Sequence, residues 1–292
     1  MREVFLPTTL EELWSILDKE PEAAIYAGGT DLLVKLRSTQ IKPPCLVCLE
    51  RIDSLRGVRD DTEEVWIGAA TTHSRILEHP VISQRFPVLA KGISVLGSPP
   101  IRHMGTIGGN IVTASPAGDT LPALYVLSAK VEIRSKDQSR RVKLADFILG
   151  PGSVDLRRYE ILTGVWLQKS PEWGIQHYEK IGLRKSQACA VASMAVVMET
   201  SNAGNIERAK LAWGSVGPTV VTSREVEEAL VGQSLSQRTL KSVSHLLEKA
   251  VSPIDDVRAS AEYRRLVAAA LVQRLVRYRD FRDPALDRAQ PC

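Results

Sequence analysis

Two Gly-Gly turns constrain the fold of this chain more than any other feature of its sequence. The first, Gly28-Gly29-Thr30-Asp31, lies between an apolar run at residues 23–27, which predicts a strand, and leucines at helical spacing. A further apolar run at 45–49 predicts a second strand, so this part of the chain predicts a small α/β unit. Glycine in such a turn lets the backbone approach a ligand, and the amides that follow can point at a phosphate.

The second turn is Thr106-Ile107-Gly108-Gly109-Asn110, and it is followed by Thr113 and Asp119. A Gly-Gly pair flanked by hydroxyl and amide side chains can offer convergent donors to a diphosphate, and Asp119 can accept from ribose or ribityl hydroxyl groups. Neither turn matches the Walker pattern or G-x-G-x-x-G. Asn110 and Asp119 are also common turn and cap residues, and Asp31 fits a phosphate site only if its carboxylate caps the next helix. Taken alone, each turn therefore favours a purely structural role.

The remaining pattern divides the chain into three regions, 1–58, 59–170 and 171–292. Residues 59–170 predict strands at 65–69 and 161–167, a helical stretch at 73–92 that breaks near Pro80, and a hairpin at 131–144. Beyond Pro171, strands at 175–180, 190–199 and 207–213 precede helices near 225–230, 237–250 and 263–275. Strands followed by helices are typical of a separate α+β domain. The last helix carries an apolar stripe of Tyr263, Leu266, Val267, Ala270, Leu271 and Leu275.

Charge and hydropathy exclude several classes of protein. The 292 residues contain 38 Lys and Arg against 34 Asp and Glu, a net charge of +4 with both signs spread along the chain. This balance excludes a strongly cationic nucleic-acid binder. No run approaches the roughly 18 apolar residues of a membrane span, and the first residues lack the apolar core of a secretory signal. We therefore expect a cytoplasmic protein.

Cysteine and histidine usage argues against a metal centre. Cys45 and Cys48 form a C-x-x-C, but it lies inside an apolar strand, so buried structural thiols are favoured over a redox or zinc site. The five histidines show no metal-binding spacing. His103, beside the second turn, is interpreted as a loop histidine bonded to backbone. The arginines of the last helix predict a solvated face or a partner surface: Arg264, Arg265, Arg274, Arg277 and Arg279.

The two turns together resemble the FAD-binding medium subunit of the molybdenum hydroxylases, the xanthine dehydrogenase and carbon monoxide dehydrogenase family. The resemblance extends from the first turn through residues 97–110 and Ser115-Pro116-Ala117-Gly118-Asp119. It continues at Tyr178-Glu179-Lys180 with Arg184, and at Gly217-Pro218-Thr219. It covers nearly the whole chain, and two spaced motifs in the same order make it specific.

The resemblance implies a fold and a set of FAD-binding residues. The fold is α+β: two α/β subdomains form a vanillyl-alcohol-oxidase/PCMH-type FAD-binding domain, and a C-terminal α+β domain has a three-stranded antiparallel sheet with helices. Both turns would hold the diphosphate, Thr113 and Asp119 the ribose or ribityl region, and Leu162 and Lys180 the flavin. Leu96 occupies the position at which some members place an aromatic ring against the isoalloxazine. The implied cofactor-binding residues are Ile25, Tyr26, Ala27, Gly28, Gly29, Thr30, Asp31, Leu32, Leu96, Thr106, Ile107, Gly108, Gly109, Asn110, Thr113, Asp119, Leu162 and Lys180.

The resemblance also implies partner subunits. Electrons would pass from a molybdenum site through [2Fe–2S] clusters to FAD, and then to NAD+ or another acceptor. This sequence lacks the cysteine clusters that [2Fe–2S] centres need, so a small iron–sulfur subunit and a large molybdenum subunit are required. The resemblance implies no catalytic side chain on this chain, a dimer of heterotrimers, and a complex that oxidises purines or other N-heterocycles.

Two alternatives remain open from the sequence. The first is a flavin- or nucleotide-sugar-binding protein outside the molybdenum hydroxylases, which would use the same two turns without this electron path. The second is a scaffold that has lost flavin, against which the intact glycines and Asp119 argue.

Overall fold

The computed structural model of the protein describes residues 2–184 and 187–278. The first turn lies in a small parallel sheet with strand order β1-β3-β2. Its elements are β1 (Glu3–Phe5), α1 (Leu10–Lys19), β2 (Ala24–Tyr26), α2 (Leu32–Arg37) and β3 (Cys45–Cys48). The strand β1 has three residues, too few for hydrophobic alternation to predict it. The apolar face of α1 packs on the sheet through Leu13 and Leu17, both buried.

The second region is built on a five-stranded antiparallel sheet in the order β4-β5-β10-β6-β7. Its elements are β4 (Val58–Asp60), β5 (Glu64–Gly68), α3 (His73–Glu78), α4 (Pro80–Arg85), α5 (Pro87–Ser94), α6 (Pro99–Met104), α7 (Ile107–Thr113), α8 (Leu121–Val126), β6 (Lys130–Arg134), β7 (Ser139–Lys143), α9 (Leu144–Phe147), β8 (Ile148–Gly150), β9 (Ser153–Val154) and β10 (Ile161–Gln168). The predicted helical stretch breaks before Pro80, as expected, and again before Pro87. Each proline disfavours helical backbone in the residue before it and so begins a new helix.

The third region is a three-stranded antiparallel sheet, β11-β12-β13, followed by helices, as predicted. Its elements are β11 (Ile175–Gly182), β12 (Ala190–Thr200), β13 (Ile206–Gly214), α10 (Arg224–Leu230), α11 (Gln237–Ala250) and α12 (Ala261–Gln273). Both faces of the sheet are buried. On β12, Ala195 and Val197 join the core of the second region, whereas Met194 and Val196 pack with the C-terminal helices. This is why β12 is apolar throughout rather than alternating.

The predicted apolar stripe of α12 is partly wrong. Tyr263 and Leu266 are half exposed and Ala270 is exposed, whereas Val267, Leu271 and Leu275 of the stripe are buried. The buried face of α12 includes Arg264 as well as apolar residues. The Arg264 guanidinium donates to the carbonyls of Val191 and Ser215, which fixes the orientation of the helix.

The arginines predicted on this helix therefore do not share one solvated face. Arg264 is buried and its guanidinium also forms a 2.7 Å ion pair with Asp256. Arg274 and Arg277 reach across to Glu179 on β11. Arg265 is exposed, and Arg279 lies outside the described residues. Buried guanidinium groups need such partners because an unpaired charge is costly to bury.

Candidate functional site

The first Gly-Gly turn packs against the end of α6, directly before the second turn. The first turn joins β2 to α2, and the second begins α7 just after the end of α6. A Cβ atom on Gly28 would lie 1.7 Å from the carbonyl oxygen of Met104, the last residue of α6. Only glycine can bring the two backbones this close. Two turns that are far apart in sequence thus line one cleft.

Backbone donors of the first turn are left without protein partners. Within the described chain, the amide groups of Gly28, Gly29, Thr30 and Asp31 donate to no protein acceptor, and Gly29 is buried. Gly29 has a φ of +68°, the left-handed conformation that turns successive amides toward one point. Buried amide groups are nearly always paired. A row of unpaired amides that lines a cleft, with Gly29 among them buried, suits an anion.

In the second turn, by contrast, the amides from Ile107 to Asn110 all donate to protein acceptors. The amides of Ile107 and Gly108 donate to the carbonyls of Thr71 (3.1 Å) and Ala69 (2.9 Å). The Gly109 amide donates to the Oγ1 atom of Thr106, which caps α7. Gly108 is a glycine for packing reasons, because its Cβ would lie 2.6 Å from the Cβ of Ala69. This turn therefore shapes the cleft rather than presenting its first amides to it.

Polar side chains connect the two walls. The Thr113 hydroxyl donates to Asp31 Oδ2 at 3.4 Å, and Lys35 Nζ lies 2.7 Å from the same oxygen. Asp31 makes no side-chain capping bond to α2, so its carboxylate does not cap that helix. Asn110 accepts from the Thr120 hydroxyl at 2.5 Å. These contacts neutralise the one carboxylate next to the unpaired amides.

A buried ion pair joins Asp119, which lines the cleft, to Lys180 on β11. Lys180 Nζ on β11 lies 2.6 Å from Asp119 Oδ2, with both side chains less than a tenth exposed, and it also donates to the carbonyl of Val95. The Tyr178 hydroxyl lies 3.5 Å from the other carboxylate oxygen. Burial raises the pKa of Asp119 to about 6, and Lys180 and Tyr178 oppose that rise. The pair holds the loop after α7 against the third region.

The cleft between the turns has a volume of about 570 Å³. It is lined by Ile25, Tyr26, Ala27, Gly28, Gly29, Thr30, Asp31, Leu32, Lys35, His73, Leu96, Ile101, Gly105, Thr106, Gly109, Asn110, Val112, Thr113, Ser115, Ala117, Gly118, Asp119 and Cys189. Its anion-binding end and its apolar walls suit an elongated ligand that is charged in one part and aromatic in another.

Residues 1–168 match the family model described as the FAD binding domain in molybdopterin dehydrogenase. The chain belongs to this family. Residues 176–278 match the CO dehydrogenase flavoprotein C-terminal domain. The protein is therefore an FAD-binding medium subunit of the molybdenum hydroxylase type, one subunit of an oxidoreductase complex.

Individual relatives agree with this assignment. The chain is 33% identical over 268 residues to the nicotinate dehydrogenase FAD-subunit of Eubacterium barkeri, covering 90% of each protein. It superposes on a chain of the reconstituted CO dehydrogenase from Oligotropha carboxidovorans with a TM-score of 0.91, at 28% identity and 97% and 99% coverage. With quinoline 2-oxidoreductase from Pseudomonas putida 86, the TM-score is 0.88 at 25% identity and 96% coverage of each chain.

The cleft of this medium subunit fits FAD chemically. A diphosphate is an anion that needs several donors, and the unpaired amides of the first turn provide them. Next to these amides, the carboxylate of Asp31 is paired with Lys35, and the other carboxylate of the cleft, Asp119, is paired with Lys180. Leu96, Ile101 and Val112 add apolar surface for a ring system. FAD binding thus accounts for backbone donors that the protein alone leaves unpaired.

Most of the residues implied by the resemblance line this cleft, and four do not. Ile107 and Leu162 are buried in the core of the second region, and Gly108 packs on Ala69. Lys180 reaches the cleft only through Asp119. In the structure these four residues pack behind the residues that line the cleft, and their side chains or amides already have protein partners.

Sequence reasoning missed several residues of the cleft. Lys35, His73 and Cys189 line it, although no motif marked them. His103, nearer the second turn in sequence, is an exposed residue of α6 rather than a loop residue and does not line the cleft. The signal for His73 was its position at the start of a helix that follows directly on an apolar strand and a short loop.

The two cysteines of the C-x-x-C motif are buried thiols in β3, as predicted. The Cys45 thiol donates to Glu20 and the Cys48 thiol to the carbonyl of Ala27. In the ranges that the structure describes, no group of three or more His, Cys, Asp or Glu residues is placed to hold a metal ion. No helix in the same ranges has the length and hydropathy to cross a membrane.

Proposed function

We propose that this medium subunit carries electrons within a three-subunit molybdenum hydroxylase. They would enter from [2Fe–2S] clusters of a small subunit and leave to NAD+ or another acceptor. The observation that supports the proposal most is the row of unpaired amides at Gly28 to Asp31, which suits the diphosphate of FAD. FAD, when bound, supplies the redox chemistry that connects one-electron clusters to a two-electron acceptor.

The chain's own residues hold and orient the cofactor. The first turn would bind the diphosphate of FAD, and the contact of this turn with α6 fixes the width of the cleft. The ion pair with Lys180 holds Asp119 in the cleft wall. No side chain of this subunit is assigned a proton-transfer step on the organic substrate. The four cysteines of the sequence include two buried in one strand, so [2Fe–2S] clusters belong to a partner.

The substrate class and assembly are part of the same proposal. The names of two relatives refer to nicotinate and quinoline, both N-heterocycles, which favours an N-heterocycle as the substrate of a large molybdenum subunit. We also propose a cytoplasmic dimer of heterotrimers, with subdomain limits in this chain at 1–58, 59–170 and 171–292. Each of the three main sheets has its strands within one of these regions, save that β4 begins at Val58.

The test is anaerobic reduction of the co-expressed complex by an N-heterocycle, followed by addition of NAD+. Oxidised-flavin absorption should fall on addition of substrate and return with NAD+. A Gly109→Val complex, in which a side chain enters the cleft, should lose flavin and NAD+ reduction but still reduce an artificial dye at the molybdenum subunit. Gly174→Val is the matched control, because no atom lies within 4 Å of a Cβ at Gly174.

The outcomes separate the proposal from its alternatives. Flavin that is not reduced by substrate in an intact complex would exclude the electron path. Reoxidation by an acceptor other than NAD+ would keep the path and identify the other acceptor. Isolation of the chain without iron–sulfur and molybdenum subunits, with a bound nucleotide sugar, would support a flavin- or nucleotide-sugar-binding protein instead.

A further inference from the structure

His73 stands between the two Gly-Gly turns. It is the first residue of α3, and its backbone amide donates to the carbonyl of Gly105 at 3.0 Å. The preceding residue, Thr72, pairs with Thr106 in an isolated β-bridge. A Cβ on Gly105 would lie 3.4 Å both from His73 Cδ2 and from Thr30 Oγ1. The imidazole therefore lies beside the first turn, on the wall formed by the second.

The His73 side chain is buried, yet the protein does not satisfy its hydrogen-bonding groups. The residue is 2% exposed, and its Nδ1 atom is sealed from solvent without a partner. The other ring nitrogen, Nε2, bonds to no described residue and is not sealed, and the residue lines the cleft. Burial, with a smaller effect of the Arg102 charge, lowers the pKa of His73 to about 4. The ring is therefore neutral at neutral pH.

The charges around His73 favour an anionic partner. Arg102 on α6 donates to the carbonyls of Leu96 and Gly97 and has no carboxylate partner in the described residues. The carboxylates that line the cleft are already paired, Asp31 with Lys35 and Asp119 with Lys180. This part of the cleft is lined by the unpaired amides of Gly28 to Asp31 and by the neutral imidazole, whereas Arg102 does not line it and acts on His73 through its charge.

We propose that His73 binds the diphosphate of FAD, donating a hydrogen bond from the N–H of its neutral imidazole to a phosphate oxygen. A neutral imidazole carries one proton, and the proton on Nε2 leaves the sealed Nδ1 without a hydrogen that needs an acceptor. A donor in a low-dielectric site bonds an anion strongly. The inference rests on the proposed cofactor site and adds a side-chain ligand to its backbone donors.

The test measures binding of FAD and of riboflavin, which has no phosphate, to the flavin-free complex by fluorescence. His73→Leu should weaken FAD binding by about 10- to 100-fold, the size expected for one hydrogen bond to a charged group. His73→Gln keeps an N–H donor and should retain most of the affinity. Riboflavin binding should not change in either variant. Thermal unfolding of each variant checks that the fold is kept.

His79 offers a matched control, since its Nδ1 atom is also sealed and unpartnered but the residue does not line the cleft. His79→Leu should leave FAD affinity at the wild-type value. Wild-type FAD affinity in His73→Leu, or equal losses for FAD and riboflavin, would overturn the assignment of His73 to the diphosphate. Failure of the wild-type complex to bind FAD would instead contradict the cofactor site itself.

Discussion

At the scale of single residues, the cleft depends on glycines, which lack a side chain, and on polar groups that have no protein partner. Gly28 has no Cβ, so the first turn reaches the carbonyl of Met104 and the two walls meet. Gly29 adopts a left-handed backbone, and the amides around it remain free. His73 is buried without a partner. The free amides and the unpartnered imidazole are explained by a ligand that satisfies them.

Neighbouring glycines of the second turn should respond differently to the same substitution. Gly109→Val should abolish flavin retention with little loss of stability, since a Cβ there meets only Thr106 Oγ1, at 3.0 Å, and the residue faces the cleft. Gly108→Val should lower the free energy of unfolding by about 1–3 kcal/mol or more, because it is forced against Ala69. Flavin content and urea unfolding measure the two effects. Full flavin in Gly109→Val would show that this residue is misplaced.

His73 should make the stability of the flavin-free protein depend on pH. The unfolded chain binds the His73 proton near pH 6.5 and the folded chain only near 4, so stability is unaffected above 6.5 and falls as the pH is lowered toward 4. The full loss is about 3 kcal/mol. Urea unfolding of wild type and His73→Gln across this window should differ in slope. Parallel curves would show that His73 is not buried as a neutral group.

At the scale of elements, two similar turns have different roles. Residues of the first turn keep their amides free, whereas those of the second are bonded to the loop after β5 through Ala69 and Thr71. The sequence predicted both turns, because strand, glycine and helix signals are local. The sequence could not show which amides were free, because their acceptors lie far away in the chain. The amide of Gly108, for example, donates to the carbonyl of Ala69, some 40 residues earlier.

Other differences from the sequence-based predictions have the same origin. The elements of the third region followed from periodicity, but the direction in which α12 faces depends on the buried Arg264 and its acceptors on other strands. Asp119 was marked by its motif, while its pairing with Lys180, 61 residues further on, needed the fold. Periodicity and turn chemistry report neighbours in sequence, and these contacts join residues that are neighbours only in space.

The Asp119–Lys180 pair should couple the loop after α7 to β11. Removal of either partner leaves a buried charge, so Asp119→Ala and Lys180→Met should each cost about 3–5 kcal/mol of unfolding free energy. The double variant should cost clearly less than the sum, because no unpaired charge remains. Urea unfolding of all four proteins gives the coupling. Additive losses would mean that the two groups do not interact in the folded chain.

At the scale of the whole molecule, the regions are joined through shared surfaces. The β11-β12-β13 sheet is buried on one face by α5 and α8 of the second region and on the other by the C-terminal helices. The cleft takes residues from the first region, the second region and the strand connection that contains Cys189. A ligand that fills the cleft would contact all three regions, and its binding would favour the assembled molecule.

The central claim, that the cleft between the two turns holds FAD, is tested most directly by visible absorption. The protein, prepared with its partner subunits, would be incubated with FAD and desalted, and the retained cofactor identified after denaturation. We predict an oxidised-flavin spectrum and equimolar release of FAD. A colourless protein that takes up no FAD under these conditions would contradict the account.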